Sequence, residues 1–247
     1  DFKMNSKFLV IQIDIDQGTQ WGNDNTIKPI RDIFIPSVKN YCKKFNYDYI
    51  LVRESTYKKK YKNFDFLETK NKHFSFERYF YFNNEYDFTI YIDNDVYIYP
   101  DAEKLPKIRG LMNVREPEGN SSKIFREENK LSASVGYFNS GVTLCDNDTA
   151  RKLSVYMINR LEKKLRSKGK NSDNMLLNEF IIENNNIFKE LHCKWNYMPF
   201  LPNSQKTENP YFFHFVGIHG KKIINQLQQN NISILDFLNE IKKKNIK

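Results

Sequence analysis

The sequence predicts an α/β fold with a mostly parallel central sheet flanked by helices. Three observations predict it. First, a β-branched run at residues 7–15 is followed by a helical stretch and then by a second strand at 47–52, an order that makes a parallel pair with a helical crossover. Second, residues 88–92 (FTIYI) are nearly unbroken hydrophobe, the composition of a central strand covered on both faces. Third, 40% of the 247 residues are hydrophobic and 15% aromatic, enough for a large core and too aromatic for disorder. No stretch reads as a linker, so residues 1–247 are expected to form a single domain. Met4 reads as a native start, with Asp1, Phe2 and Lys3 an addition; a domain cut from a longer protein fits equally.

The elements follow in order. The first strand ends in Asp14 and Asp16, and residues 17–28 are a polar loop. Pro29 is expected to open a helix, because its missing N–H costs nothing in a first turn. Ile30, Ile33, Phe34, Val38 and Tyr41 recur at near-helical spacing, and Pro36 predicts a kink or a split. Residues 57–72 read as a basic, aromatic-bearing loop and 73–84 as a helix. A strand is expected at 109–115 and a flexible, Gly-containing loop at 116–130. Residues 137–144 read as a strand interrupted at Gly141. Residues 147–168 form a long amphipathic helix capped by Asn147 or Asp148, and 173–184 a second one. The 194–215 region is less regular, and a last amphipathic helix spans 232–244.

The net charge is +9, with lysine clusters at 58–62 and 242–244. Such a balance favours anionic partners and allows peripheral contact with an anionic membrane surface. Three scattered cysteines, none in a CxxC pair, build neither a disulfide framework nor a zinc site. No signal peptide is evident and no apolar run approaches about 18 residues. The expected location is therefore cytoplasmic, with membrane contact limited to the periphery.

One constellation carries chemistry. In open α/β sheets, ligands bind outside the carboxyl ends of the strands. The strand at 88–92 delivers Asp93 and Asp95 there, spaced so that both carboxylates reach one hard cation. A cation so held can bridge a diphosphate and neutralise its charge as it leaves.

The run Tyr86-Asp87-Phe88-Thr89-Ile90-Tyr91-Ile92-Asp93-Asn94-Asp95-Val96 resembles the DxD segment of GT-A glycosyltransferases. The nearest pattern is that of glycogenin-like and lipopolysaccharide galactosyltransferase-like enzymes. Further short matches appear in the family's order over residues 7–222. Lys72 and Arg78 stand where the family keeps basic residues that contact the donor. Phe138-Asn139-Ser140-Gly141-Val142 is similar to the segment lining the donor-sugar pocket, which implies a sugar contact for Asn139 and a close backbone approach at Gly141. Ser172-Asp173-Asn174-Met175-Leu176-Leu177-Asn178 resembles the family's D-Q-x-x-L-N helix start, with Asn174 in place of Gln; Asp173 would face the reacting sugar or the acceptor. His214-Phe215-Val216-Gly217 matches the first half of H-x-x-G-x-x-K, but Gly220 occupies the lysine position and Lys221 comes one place late.

The resemblance implies a GT-A fold and a metal-dependent glycosyltransferase. Mn²⁺ or Mg²⁺ would be held by Asp93, Asp95 and His214. The nucleotide-sugar donor, a UDP-sugar by preference, would meet Ile13, Asp14, Lys72, Arg78, Asn94, Gly141, Gly217 and Lys221. Asp173 and Asn139 are the candidate catalytic residues. The acceptor would be a hydroxyl of a glycan, lipid or protein. Retention of the anomeric configuration is favoured, with Asp173 as the base of an inverting alternative.

Three other readings compete. A sugar-nucleotide nucleotidyltransferase would need a Gly-rich, Arg/Lys-bearing loop after the first strand, and residues 17–28 hold only Gly18 and Gly22 and no Arg. A nucleic-acid-binding module would show a recognised signature and no paired acids at its centre, so nucleic acid is not expected as a partner. A catalytically silent glycan-binding GT-A domain would not need Asp93, Asp95 and His214 together.

Overall fold

A computed structural model of the chain describes residues 6–15, 24–60, 74–167 and 173–245. Its strands are β1 (Phe8–Ile13), β2 (Asp48–Val52), β3 (Phe88–Ile92), β4 (Val96–Ile98), β5 (Leu111–Arg115), β6 (Phe138–Asp146), β7 (Phe188–Leu191) and β8 (Phe212–His214). Six of them form one sheet in the order β2-β1-β3-β6-β5-β7. The pairs β1–β2, β1–β3 and β5–β7 are parallel, and β6 runs against both its neighbours. The sheet is thus mostly parallel, as expected from the strand–helix–strand opening.

The period-2 alternation of β1 sends its side chains into two different cores. Phe8 and Val10 pack with Val38, Tyr41 and Cys42 of α2 (Ile35–Phe45). Leu9, Ile11 and Ile13 pack on the opposite face with Leu153 and Met157 of α5 (Asn147–Ser167) and Leu177 and Phe180 of α6 (Asp173–Glu183). Every residue of β3 is buried, because helices cover both faces. Each such apolar side chain contributes about 1.5–3 kcal/mol on burial. The remaining pair, β4–β8, packs on a third core built with Ile224 and Leu227 of α7 (Gly217–Gln229) and Leu238 of α8 (Ile234–Asn245).

Several local expectations change. Pro29 closes the short helix α1 (Asp24–Pro29) instead of opening one. A π turn, Ile30–Phe34, then leads into α2. Pro36 sits in the first turn of α2, so the split falls just before it, where a missing N–H is tolerated. Thr56–Lys60 is a five-residue helix, α3. The helix expected at 73–84 takes the 3₁₀ form over Phe74–Tyr81. The expected loop at 116–130 contains α4 (Asn120–Glu128), whose Phe125 is buried against Tyr137.

Gly141 does not interrupt β6; the irregularity lies in the partner strand, between Asn113 and Arg115 of β5. The cap of α5 comes from one residue earlier than expected, since the Thr149 N–H donates to Asp146 Oδ1. Asn147 instead donates to the carbonyls of Asn84 and Tyr86.

Candidate active site

Strand β3 ends at the carboxyl edge of the sheet, and Asp93 follows it. The Asp93 N–H donates to the Gly141 carbonyl at 2.7 Å, and the Val96 N–H turns back to the Asp93 carbonyl at 3.2 Å. This tight turn carries both carboxylates out of the strand and starts β4. Strand β4 then pairs with β8 so that Val96 lies opposite His214. The Phe215 N–H donates to the Asp95 carbonyl at 3.0 Å. These backbone bonds bring His214 beside the two aspartates.

His214 Nε2 is 3.1 Å from Asp95 Oδ1 and 3.6 Å from Asp93 Oδ2. One ligand atom from each of the three residues lies within 4.8 Å of the others. Burial, and then the neighbouring Asp95 charge, raise the Asp93 pKa. Burial alone would lower the His214 pKa; Asp95, followed by Asp93 and Glu116, outweighs it and raises it. Two carboxylates and an imidazole packed this closely suit a divalent cation that would relieve the like-charge repulsion.

Gly141 makes the room. A Cβ there would lie 2.2 Å from His214 Cε1 and 2.8 Å from both Asp93 Oδ2 and Asn139 Oδ1. Only glycine fits between the β6 backbone and the cluster. Gly217 is required for a different reason: its φ is +56° while a Cβ would meet nothing within 4 Å. Gly220 belongs to the first turn of α7, where a Cβ would strike the Phe215 carbonyl oxygen at 2.0 Å. That contact leaves no room for a side chain at 220, the lysine position of the expected motif. Lys221 is half-buried, which lowers its pKa, and it feels the Asp95 charge in opposition.

Arg78 is the structural pillar of the site. Its side chain is 1% exposed and lies between the rings of Tyr91 and Tyr79, at 4.1 and 5.0 Å. The guanidinium donates to the Ser140 carbonyl at 2.9 Å and to Asp173 Oδ2, and it lies 4.0 Å from Asp93 Oδ1. The resemblance gave Arg78 a contact with the donor; in the fold its guanidinium is buried and engages Ser140 and Asp173. Asp173 Oδ2 also accepts from Ser140 Oγ, and Tyr91 donates its hydroxyl to Asp93 Oδ1 at 2.6 Å.

Asp14 leaves β1 at the same sheet edge, buried, and pairs with Arg31 at 3.1 Å and Arg53 at 3.7 Å. Ile13 before it is buried, and Asn94 between the two aspartates is half-buried. Lys72 lies outside the described residues.

Asn139 and Asn174 belong to a second polar layer whose other members, Glu116, Asn196 and Gln12, the sequence did not single out. Asn139 Nδ2 donates to Glu116 Oε2 at 2.9 Å, and Asn174 Nδ2 donates to the same oxygen at 3.2 Å. Burial raises the Glu116 pKa against these bonds. Asn196, fully buried, donates to Asn139 Oδ1 at 2.9 Å and lies 2.8 Å from His214 Nδ1 through its own Oδ1. Gln12 in the middle of β1 donates to the Asp93 carbonyl and accepts from the Tyr49 hydroxyl. Gln12 is a polar side chain isolated in an apolar run and Asn196 stands between Trp195 and Tyr197, and that contrast was the available signal; Glu116, between Arg115 and Pro117 in a polar stretch, carried none.

Comparison with known proteins agrees with this geometry. A search of curated protein sequences gave no significant match. The fold is similar to that of the galactosyltransferase LgtC, in a complex with donor and acceptor sugar analogues, at 12% identity, a TM-score of 0.56 and coverage of 90% of this chain and 95% of that one. It is also similar to a glycosyltransferase involved in glycosylation of the major capsid of PBCV-1, at 11% identity, a TM-score of 0.54 and coverage of 91% and 99%. Both are GT-A enzymes, and at these identities the likeness speaks for the fold. The family model of glycosyl transferase family 8 matches residues 3–222. The chain therefore belongs to glycosyl transferase family 8 and is a glycosyltransferase with a GT-A fold.

Proposed function

We propose that this enzyme moves a sugar from a nucleoside-diphosphate sugar, a UDP-sugar by preference, to a hydroxyl of a glycan, lipid or protein, with a divalent cation at Asp93, Asp95 and His214. The carrying observation is the three-residue cluster with the Gly141 gap beside it. Mn²⁺ or Mg²⁺ bound there would act as the Lewis acid that stabilises the departing diphosphate.

The chain's own residues supply the rest. Lys221, half-buried near Asp95, adds positive charge where the diphosphate oxygens gather. Asn139 and Asn174, held by Glu116, present amides to the sugar hydroxyls. Ile13 and Asp14 form the floor for the base. Gly217, with its side empty, leaves space for the phosphates. Asp173 has Oδ2 engaged by both Arg78 and Ser140, so it orients the pocket instead of accepting a proton from the acceptor. This favours retention over inversion with Asp173 as base.

Peripheral membrane contact through the lysine clusters has weaker support. Lys59 pairs with Glu54, Lys60 with Glu162, Lys242 with Asp101 and Lys243 with Glu240. Among the described residues, no helix is long and apolar enough to cross a membrane.

The testing experiment is donor hydrolysis without acceptor. A panel of nucleotide-sugars is incubated with the wild type and Asp95→Ala, in Mn²⁺ or in EDTA. Release of nucleoside diphosphate from one donor, abolished by EDTA and by the substitution, is the expected result. Equal release under all four conditions would sink the metal-dependent reading.

A further inference from the structure

Which nitrogen of His214 faces the carboxylates is clear; which nitrogen holds the proton follows from a chain of hydrogen bonds that begins at a backbone amide. Amide oxygen and nitrogen are told apart by their partners. The Gly141 N–H can only donate, so the Asn139 atom 2.8 Å from it is oxygen. That Oδ1 also accepts from Asn196 Nδ2 at 2.9 Å. Asn139 Nδ2 correspondingly points at Glu116 Oε2, an oxygen that already accepts from Asn174. With Nδ2 turned toward Asn139, Asn196 presents its Oδ1 to His214 Nδ1 at 2.8 Å. A carbonyl oxygen cannot donate, so Nδ1 must.

No member of the chain can turn over alone. Flipping Asn196 would set its oxygen against Asn139 Oδ1. Flipping Asn139 as well would leave the Gly141 N–H facing an NH₂ group and oppose two oxygens at Glu116. Asn196 is 0% exposed, so bulk water cannot repair the loss.

We propose that Asn196 is the positioning residue of the metal centre: locked by Asn139, which is locked in turn by the Gly141 amide and Glu116, it holds the Nδ1 proton of His214 and so reserves Nε2 for the cation. The proposal rests on the metal reading of the Asp93, Asp95 and His214 cluster. A hydrogen bond on the far side of a ligating imidazole fixes its tautomer and ring orientation, and its removal typically weakens metal binding about 10–100-fold.

The test has two arms. In the first, Mn²⁺ is titrated calorimetrically into the wild type, Asn196→Leu and Asn196→Asp, with and without UDP. Asn196→Leu should bind Mn²⁺ about tenfold or more weakly. Asn196→Asp keeps an acceptor for Nδ1 but sets its second oxygen against Asn139 Oδ1, so it should recover only part of that loss. In the second arm, long-range ¹⁵N–¹H NMR of the metal-free wild type is recorded above the imidazole titration. It should find the neutral His214 protonated on Nδ1. Wild-type protein that takes up no Mn²⁺ in either condition overturns the metal reading itself. Wild-type protein that binds, with Asn196→Leu binding as tightly, overturns the role of Asn196 alone. A wild-type His214 protonated on Nε2 in its neutral form does the same, and needs no variant to fold.

Discussion

Val96 and His214 face each other across the β4–β8 pair, and this register sets His214 Nε2 3.1 Å from Asp95 Oδ1. A ligand set drawn from two distant parts of the chain is thus fixed by backbone pairing. Removing one member should abolish metal binding without unfolding the protein. Asp95→Ala and His214→Ala should each lower metal-dependent donor turnover by about 100-fold or more, since charge neutralisation at the diphosphate is worth several kcal/mol. Wild-type protein should gain roughly 2.7 kcal/mol of stability when Mn²⁺ is present at about 100 times its Kd. Thermal melts with and without Mn²⁺ should show this gain in the wild type and not in the variants.

Gly141→Ala tests the gap. The added methyl would sit 2.2 Å from His214 Cε1 and 2.8 Å from Asp93 Oδ2. We expect a destabilisation of about 1–3 kcal/mol from overpacking, together with loss of Mn²⁺ binding. Urea denaturation and a Mn²⁺ titration on the same sample read both. A variant that binds Mn²⁺ normally would mean that β6 can move away from the cluster.

Arg78→Met removes a buried cation and leaves Asp173 and Asp93 facing each other's charge without relief. Breaking one side of a buried pair costs about 3–5 kcal/mol. Arg78→Lys should restore little, because a lysine cannot bond Ser140 and Asp173 at once in the same plane. Denaturation midpoints of the two variants should therefore lie close together and well below the wild type.

The pH dependence has a defined sign. The His214 pKa is raised above its ordinary 6.5, so its contribution to metal-free stability is complete below that value and is lost as pH rises through the raised one. The Asp93 pKa is raised above 3.8, so the penalty for ionising it also grows with rising pH. Metal-free protein should lose stability as pH climbs from mildly acid to alkaline. Mn²⁺ affinity should strengthen over the same range, because the Nε2 proton competes with the metal. Thermal melts in EDTA and Mn²⁺ titrations across a pH series check both slopes.

Gly217 and Gly220 should respond differently. Gly217→Ala carries only the left-handed backbone cost, roughly 1–2 kcal/mol, with no steric clash. Gly220→Ala drives a methyl to 2.0 Å from the Phe215 oxygen and must push the first turn of α7 away from β8. Denaturation should rank Gly220→Ala as the more damaging, and Lys221 should be displaced with it.

The α/β class, the first parallel pair and the aspartates at the end of β3 were legible in the sequence. Those features are local: period-2 and period-3.6 patterning, and carboxylates placed where an apolar run stops. It also singled out His214, Gly141 and Asp173, through short motifs in a recognisable order. Why they belong together emerged only from the folded chain. The reversal of β6, the β4–β8 register and the burial of Arg78 depend on pairings between distant segments, which no window of sequence encodes. Glu116 and Asn196 stayed hidden for the same reason. A polar side chain announces at most that it needs a partner once buried, and hydrogen-bond partners are chosen by the folded backbone. Asn196 acquires its meaning only when β8 brings His214 to it and β6 brings Asn139.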